Sequence, residues 1–355
     1  GPITKDKSSF IVSARRSYID LALRAAGEKN LVYFYDVNAK VNWRANNKNR
    51  FFLAIYTGRD DFNFDGNFGF DWGNKTATFR WNHLFNDKLF SNTSLIASSF
   101  DYGLGSNEQS DGFQWDSNLQ EYSFKQDLNY FFNPKLTLDF GYHLTYRTFA
   151  PGKIVPSSES IFRETELQKE FALDHAAYFG LQHQVSDKLT LEYGARLSVF
   201  QNIGENTVYT YLDQLDNINP IRIDSIEYGS FENIETYVNL EPRFSARYLL
   251  NDNSSLKASY NRMIQNTHLI SSGTVPLPFN TWAPSSTYLK PQVADQFAIG
   301  YFKNFGSNTY EFSVESFYKD ISNVTDFADN AQIFFNQDLS TEFRQGTSEA
   351  YGLEL

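Results

Sequence analysis

EYSFKQDLNYFFNPKLTLDFGYHLTY, residues 121–146, decides how the rest of the chain is read. Every second residue around Asn133-Pro134-Lys135 is apolar: Tyr122, Phe124, Leu128, Tyr130 and Phe132 before it, then Leu136, Leu138, Phe140, Tyr142, Leu144 and Tyr146. Between them stand Glu121, Ser123, Lys125, Asp127 and Asn129, and then Thr137, Asp139, Gly141, His143, Thr145 and Arg147. A period of two belongs to β-strands, whose successive side chains leave the backbone on opposite sides. The stretch is therefore a hairpin with one apolar and one polar face, and Gln126 is the only polar residue on the apolar side. Both arms exceed the roughly five or six residues of an ordinary strand.

The composition narrows what that apolar face meets. The 355-residue chain has a net charge of -11 and a pI near 5.0, with no basic stripe, which excludes a nucleic-acid partner. It has no Cys, so neither disulfides nor thiolate metal sites are available. Aromatic residues make up 17%, with 34 Phe and 22 Tyr, more amphipathic rings than a soluble core needs. No apolar run approaches the about 18 residues of a membrane-spanning helix. The mean hydropathy of -0.47 nonetheless suits membrane strands, because a strand with one lipid face and one wet face averages to a polar value. The opening, GPITKDKSSF, lacks the charged and apolar regions of a signal peptide, so an exported protein is here read as a fragment.

The same alternation recurs along the chain. It marks a first strand over residues 8–23, a second through Tyr33, Val37 and Trp43, and others flanking Asn86-Asp87-Lys88, Ser186-Asp187-Lys188 and Asn251-Asp252-Asn253. Roughly fourteen strands result. Turns of two to five polar residues alternate with longer loops: through Gly66, through Trp115, over 148–166, 201–232 and 263–292. Short turns at one end and long loops at the other define an antiparallel transmembrane β-barrel. A soluble sandwich, solenoid or propeller predicts shorter strands or a fixed repeat. Trp43, Trp81, Tyr130 and Phe132 fall near turn ends and Tyr33, Tyr35, Tyr122, Phe124 and Tyr146 near loop ends, as two interfacial girdles would. An all-β barrel of this length forms one domain, expected over residues 1–355.

Residues 72–83, WGNKTATFRWNH, running on through 86–92, NDKLFSN, resemble the barrel of TonB-dependent outer-membrane receptors. So do residues 280–286, NTWAPSS, followed by Leu289-Lys290-Pro291-Gln292 and Ala294-Asp295-Gln296. Residues 1–10 look like the passage from such a receptor's N-terminal plug into its first strand. The resemblance implies a 22-stranded barrel around a plug that carries the TonB-contacting segment. It implies as partners outer-membrane lipid, the chain's own plug, the TonB complex reached through that plug, and a nutrient ligand. About 14 of the 22 strands are counted and no plug precedes them, so the barrel is expected to be incomplete, with open edges at both ends. The implied function is energy-coupled uptake of a scarce nutrient (siderophore, vitamin or glycan) across the outer membrane of a Gram-negative cell. A passive porin-like channel is the alternative, and a soluble β protein used for adhesion a third reading.

Candidate sites follow from the same faces. Asp61-Phe62-Asn63-Phe64-Asp65-Gly66 fits the first half of a calcium loop, but the position that should be a bidentate Glu is Trp72. His175 and His183 share a face about 26 Å apart, too far to chelate one ion, and His143 and His268 are isolated in sequence. No catalytic residue, metal site or cofactor is assigned, and an enzyme is not expected. The polar faces carry charges at steps of four: Asp139, His143 and Arg147; Glu192 and Arg196; Arg243 and Arg247. These are expected to face a hydrated lumen and to contact the plug. Ligand contact is expected from rings and amides on the long loops: Trp115, His268, Phe279, Asn280, Trp282 and Tyr288.

Overall fold

The computed structural model describes residues 1–355 apart from 66, 107–111, 159, 217, 272–280, 308 and 334–335. Fourteen long strands carry the chain, as the alternation predicts. The first seven are β1 (Ser8–Arg16), β2 (Leu31–Arg44), β3 (Asn49–Phe64), β4 (Phe68–Asn86), β5 (Leu89–Ser106), β6 (Phe113–Asn133) and β7 (Leu136–Pro156). The rest are β8 (Glu170–Gln184), β9 (Leu189–Ile203), β10 (Asn233–Asn251), β11 (Ser254–Gln265), β12 (Gln292–Phe305), β13 (Tyr310–Phe327) and β14 (Phe343–Glu354). With the short strands Pro2–Thr4 and Thr165–Glu166 they form one 16-stranded antiparallel sheet in which each long strand pairs with its neighbours in sequence. Among the described residues β14 pairs only with β13 and Pro2–Thr4 only with β1, so the barrel is not closed.

The short turns are built by side chains that replace water on the backbone. Asn86 Oδ1 accepts from the amides of Lys88 (2.8 Å) and Leu89 (3.0 Å), and Asn46 Oδ1 from those of Lys48 and Asn49 (both 2.9 Å). Asn133 and Asn251 do the same for the amides of Lys135 (2.9 Å) and Asn253 (3.0 Å). Asn and Asp favour such turns because their short side chains mimic a backbone carbonyl. Beside the turns, Trp43 stacks on Phe51 (5.4 Å) and Phe51 on Trp81 (6.2 Å), a ring row on the apolar face. Gln126 on that face is satisfied by Thr93, whose hydroxyl donates to its Oε1 at 2.7 Å.

Several expected boundaries move. The first strand ends at Arg16, and residues 19–23 belong to the helix Ile19–Ala25. The buried Asp20 is the reason: Arg16 Nη2 donates to its Oδ2 at 2.9 Å, turning the chain at the strand's end. The loops expected around Gly66 and through Trp115 shorten, since β3 runs to Phe64, β4 starts at Phe68, β5 runs to Ser106 and β6 starts at Phe113, and 148–156 is strand, the end of β7; Gly66 and 107–111 lie outside the described residues. The long loops 201–232 and 263–292 carry hairpins of their own, Asn206–Tyr211 with Arg222–Tyr228 and Thr267–Ile270 with Thr281–Pro284. Of the incomplete calcium pattern, Asp61 and Asn63 lie in the β3–β4 ladder opposite Asp71 and Gly69.

β8 and β9 meet at paired glycines, Gly180 and Gly194. A methyl group on Gly194 would sit 2.2 Å from the Phe179 carbonyl oxygen, so backbone rather than a flexible side chain would have to move. Gly194→Ala is expected to lower stability by about 1–3 kcal/mol, the usual cost of overpacking. Urea unfolding of the detergent-folded protein measures this, and an unchanged midpoint would contradict the close approach.

Candidate ligand-binding site

The two faces of the sheet exchange polarity part of the way up. Near the turns one face is apolar, with Phe51, Leu53, Phe79, Leu95, Phe124 and Leu144 in register across β3 to β7. Further toward the loops the same face carries Arg59, Asp61, Asp71, Asp101 and Asn118. There Arg59 pairs with Asp71, Lys75 Nζ lies 3.6 Å from Asp101, and Asn118 Nδ2 donates to Ser99 Oγ at 2.7 Å. The opposite face changes in the other sense. It is charged in its middle and becomes aromatic toward the loops, where the Phe62 ring stacks on Phe70 (5.0 Å) and Trp72 (5.1 Å). Leu104, Trp115, Ile154 and Leu167 close over it as a buried cluster, with Phe70 and Phe113 against them.

The charged region of that second face is held by several hydrogen-bonded and ion-paired groups. Arg147 Nε donates to Glu121 at 2.9 Å and its Nη1 to Asp174 at 3.4 Å. Asp127 Oδ1 accepts from Tyr178 (2.5 Å) and lies 2.8 Å from His143 Nε2. His143 Nδ1 faces Arg196 Nη1 at 3.4 Å, which fits a ring whose Nε2 carries the proton. Glu241 then bridges Arg196 (3.4 Å) and Arg243 (3.6 Å), while Glu192 accepts from Gln182 (2.9 Å) and Ser245 (3.3 Å). Asp139 accepts from Asn129, and Arg247 stands opposite Lys257. All seven charged residues singled out in the sequence therefore share one face, and Asp139, His143, Glu192, Arg196 and Arg243 line one concavity.

Above this network the long loops enclose a cavity of about 320 Å³. Glu170 and Asn202 come from the ends of β8 and β9, and Asn206, Tyr209, Tyr211 and Arg222 from the first loop hairpin. Trp282 comes from the second and Tyr288 from the stretch that follows it, with Asn336 and Gln337 from the segment before β14. The walls are tied together. Asp338 accepts from Tyr211 OH (2.8 Å) and from Arg222 Nε (2.6 Å), and Tyr288 OH donates to the Tyr209 carbonyl at 2.8 Å. Trp282 packs on the buried cluster of Phe149, Ala172 and Phe200, which holds its ring in place. The amide oxygen Asn206 Oδ1 is buried without a hydrogen-bond partner. Burial of the Glu170 carboxyl raises its pKa from an ordinary 4.5 to about 7, with Asn202 pulling the other way.

Of the residues expected to meet ligand, the structure brings Trp282 and Tyr288 to this cavity. Trp115 is not on a loop: it is a strand residue, only 5% exposed, whose indole donates to Ser117 at 2.8 Å. Gly152 packs so closely on that indole that no side chain fits there. His268, 2% exposed, faces Ser285 Oγ at 3.0 Å, and burial lowers its pKa from 6.5 to about 4. Phe279 and Asn280 lie outside the described residues. Glu170, Asn202, Asn206, Tyr209, Tyr211 and Arg222 escaped the sequence reading. The alternation in NTVYTY and RIDSIEY was the available signal, hidden in a segment whose acidic residues suggest an unstructured loop.

Residues 15–355 match the family model described as TonB dependent receptor-like, beta-barrel, and the chain belongs to that family, one of Gram-negative outer-membrane transport receptors. No curated protein matches it by sequence. Among solved structures it resembles the closed form of the ferric-catecholate import receptor Fiu from Escherichia coli K12, with a TM-score of 0.65 and 15% identity over 99% of this chain and 58% of that one. It resembles equally the pyoverdine receptor FpvA from Pseudomonas aeruginosa PAO1 bound to pyoverdine (TM-score 0.65, 14% identity, 99% and 55%). A third is the Serratia marcescens hemophore receptor HasR in complex with HasA and heme (0.64, 12%, 92% and 52%). At these identities the likeness is one of fold, and the chain spans little more than half the length of these structures.

The two shifted groups at the loop end have opposite pH signatures. Glu170, with its folded pKa raised, stabilises the cavity floor fully below about pH 4.5 and loses that contribution as pH rises through about 7. His268, with its folded pKa lowered, favours its hairpin above about pH 6.5 and loses that contribution as pH falls toward 4. Glu170→Gln is therefore expected to raise hydrogen-exchange protection around residues 202–206 at pH 8 and to change it little at pH 5. An equal effect at both pH values would refute the raised pKa.

Proposed function

We propose that the chain forms the larger part of the barrel wall, over residues 1–355, of an outer-membrane receptor that imports a scarce nutrient by TonB-coupled transport. The exchange of face polarity carries this reading. In the membrane band the apolar face meets lipid, and the charged face turns to a lumen that the receptor's own plug fills. A bilayer crossing takes about 9–11 residues of strand, whereas β4 has 19 and β6 has 21. The remainder stands above the bilayer, where the outer side is wet and the inner side can afford aromatic rings.

The charged network then serves as a wall for the plug. Asp139, His143, Arg147, Glu192, Arg196, Arg243 and Arg247 lie where a water-filled or plug-filled lumen lets charges stay hydrated or paired. The loop-end cavity receives the ligand from outside, and movement of the plug releases it inward. Active import predicts that deleting the gene abolishes growth on the cognate nutrient at low concentration, and that a strain lacking TonB shows the same defect. Radiolabelled uptake across a panel of siderophores, vitamins and glycans tests this. Uptake that persists undiminished without TonB would instead support a passive channel.

A further inference from the structure

The chemistry of the loop-end cavity narrows the nutrient class, an inference that rests on the uptake reading above. Its rings are Tyr209, Tyr211, Trp282 and Tyr288 beside Phe149 and Phe343, and its polar lining is mainly amides and hydroxyls. Arg222 is the only cation among the described lining residues, and it is already committed: Asp338 takes its Nε–H at 2.6 Å, and its guanidinium lies 3.9 Å over the Tyr209 ring. No described lining residue is His, Met or Cys, and the carboxyls of Glu166 and Glu170 add negative charge when ionised. An anionic guest such as a ferric tris-catecholate or a porphyrin with its propionates would find no free positive charge and no axial ligand there. Desolvating such charges without a partner is costly.

The cavity instead matches a neutral guest with flat C–H faces and many hydroxyls. Asn206 Oδ1 is a buried acceptor without a partner, and a sugar hydroxyl can donate to it. Leaving it unmet costs free energy that such a ligand would recover. The rings offer stacking surfaces with polar edges, with Tyr211 and Tyr288 tilted at 59° and 5.9 Å between centroids. A volume of about 320 Å³ is at the small end of ligand sites, about 300–1,000 Å³, which suits one end of a longer molecule. We infer that this cavity binds the terminal residues of a neutral oligosaccharide and that the imported nutrient is a glycan.

The test uses the full-length receptor purified in detergent, applied to an array of neutral and acidic oligosaccharides, with ferric enterobactin titrated separately by tryptophan fluorescence. Saturable binding to neutral oligosaccharides is expected, weakened about tenfold by Trp282→Ala and by Asn206→Ala, the loss of one ring contact or one buried amide pair. Both variants are checked for the compact migration of a folded barrel on unheated gels, so that one remains informative if the other misfolds. Binding confined to acidic glycans, binding of ferric enterobactin alone, no binding, or unweakened binding by a folded variant would each overturn the assignment. Energy-coupled uptake of some other nutrient would meanwhile leave the transport reading standing, which separates the two failures.

Discussion

A strand crossing hydrocarbon must give every N–H and C=O to a neighbouring strand, because nothing else there can accept them. The whole chain is arranged by that requirement. Each long strand is antiparallel to its sequence neighbours, most connections at one end are Asn-capped turns, and pairing proceeds without exchange from β1 to β14. Ladder pairing also fixes the register, and with it the side on which each side chain emerges; a slip of one residue would send Phe124 and Leu144 to the charged face and Arg147 to the apolar one.

Because register decides sidedness, the period-two pattern was enough to reveal the strands and their short turns. The number of strands and the polar turns at Asn86, Asn133, Ser186 and Asn251 were legible for this reason. What escaped was the continuation of the strands beyond the apolar band. The alternation does not stop at Thr57 or Lys75; it changes sense, so that Phe62, Phe64, Phe70 and Trp72 emerge on the face that below them carries polar residues such as Thr76 and Thr78. A rule that equates one face with one polarity ends the strand there and inserts a loop. The physical cause is a change of solvent along the strand, from lipid to water outside and from hydrated charge to packed rings inside.

The candidate site shows the same limit in a different form. Trp282 and Tyr288 were visible as rings on a long loop, but nothing local distinguished them from Trp115, which became a buried strand residue, or from His268, which became a buried hairpin residue. The cavity is assembled from six separate stretches of chain, with Tyr211 and Asp338 joined at 2.8 Å although 127 residues apart. Such long-range pairings leave no periodic trace, and only the folded loops bring Glu170, Asn202 and Asn206 under the same rings.

Strand length links these two observations. If the sheet ended at the bilayer surface, the loops would spring from the lipid boundary and any cavity would have to be made of loop on loop. Here β8 and β9 carry Glu170 and Asn202 up to the cavity floor on a hydrogen-bonded ladder that includes Phe171 with Ile203 and Ala172 with Asn202. The floor is thus part of the sheet's own ladder, while the hairpins supply most of the cavity's rings. A floor anchored in the sheet also lies directly above the charged wall at Arg147, which is paired with Ala172, and Asp174, two residues further along β8. Under the proposed uptake, a ligand at Glu170 and Asn202 would act on strands continuous with the charged face, without any loop having to carry the signal.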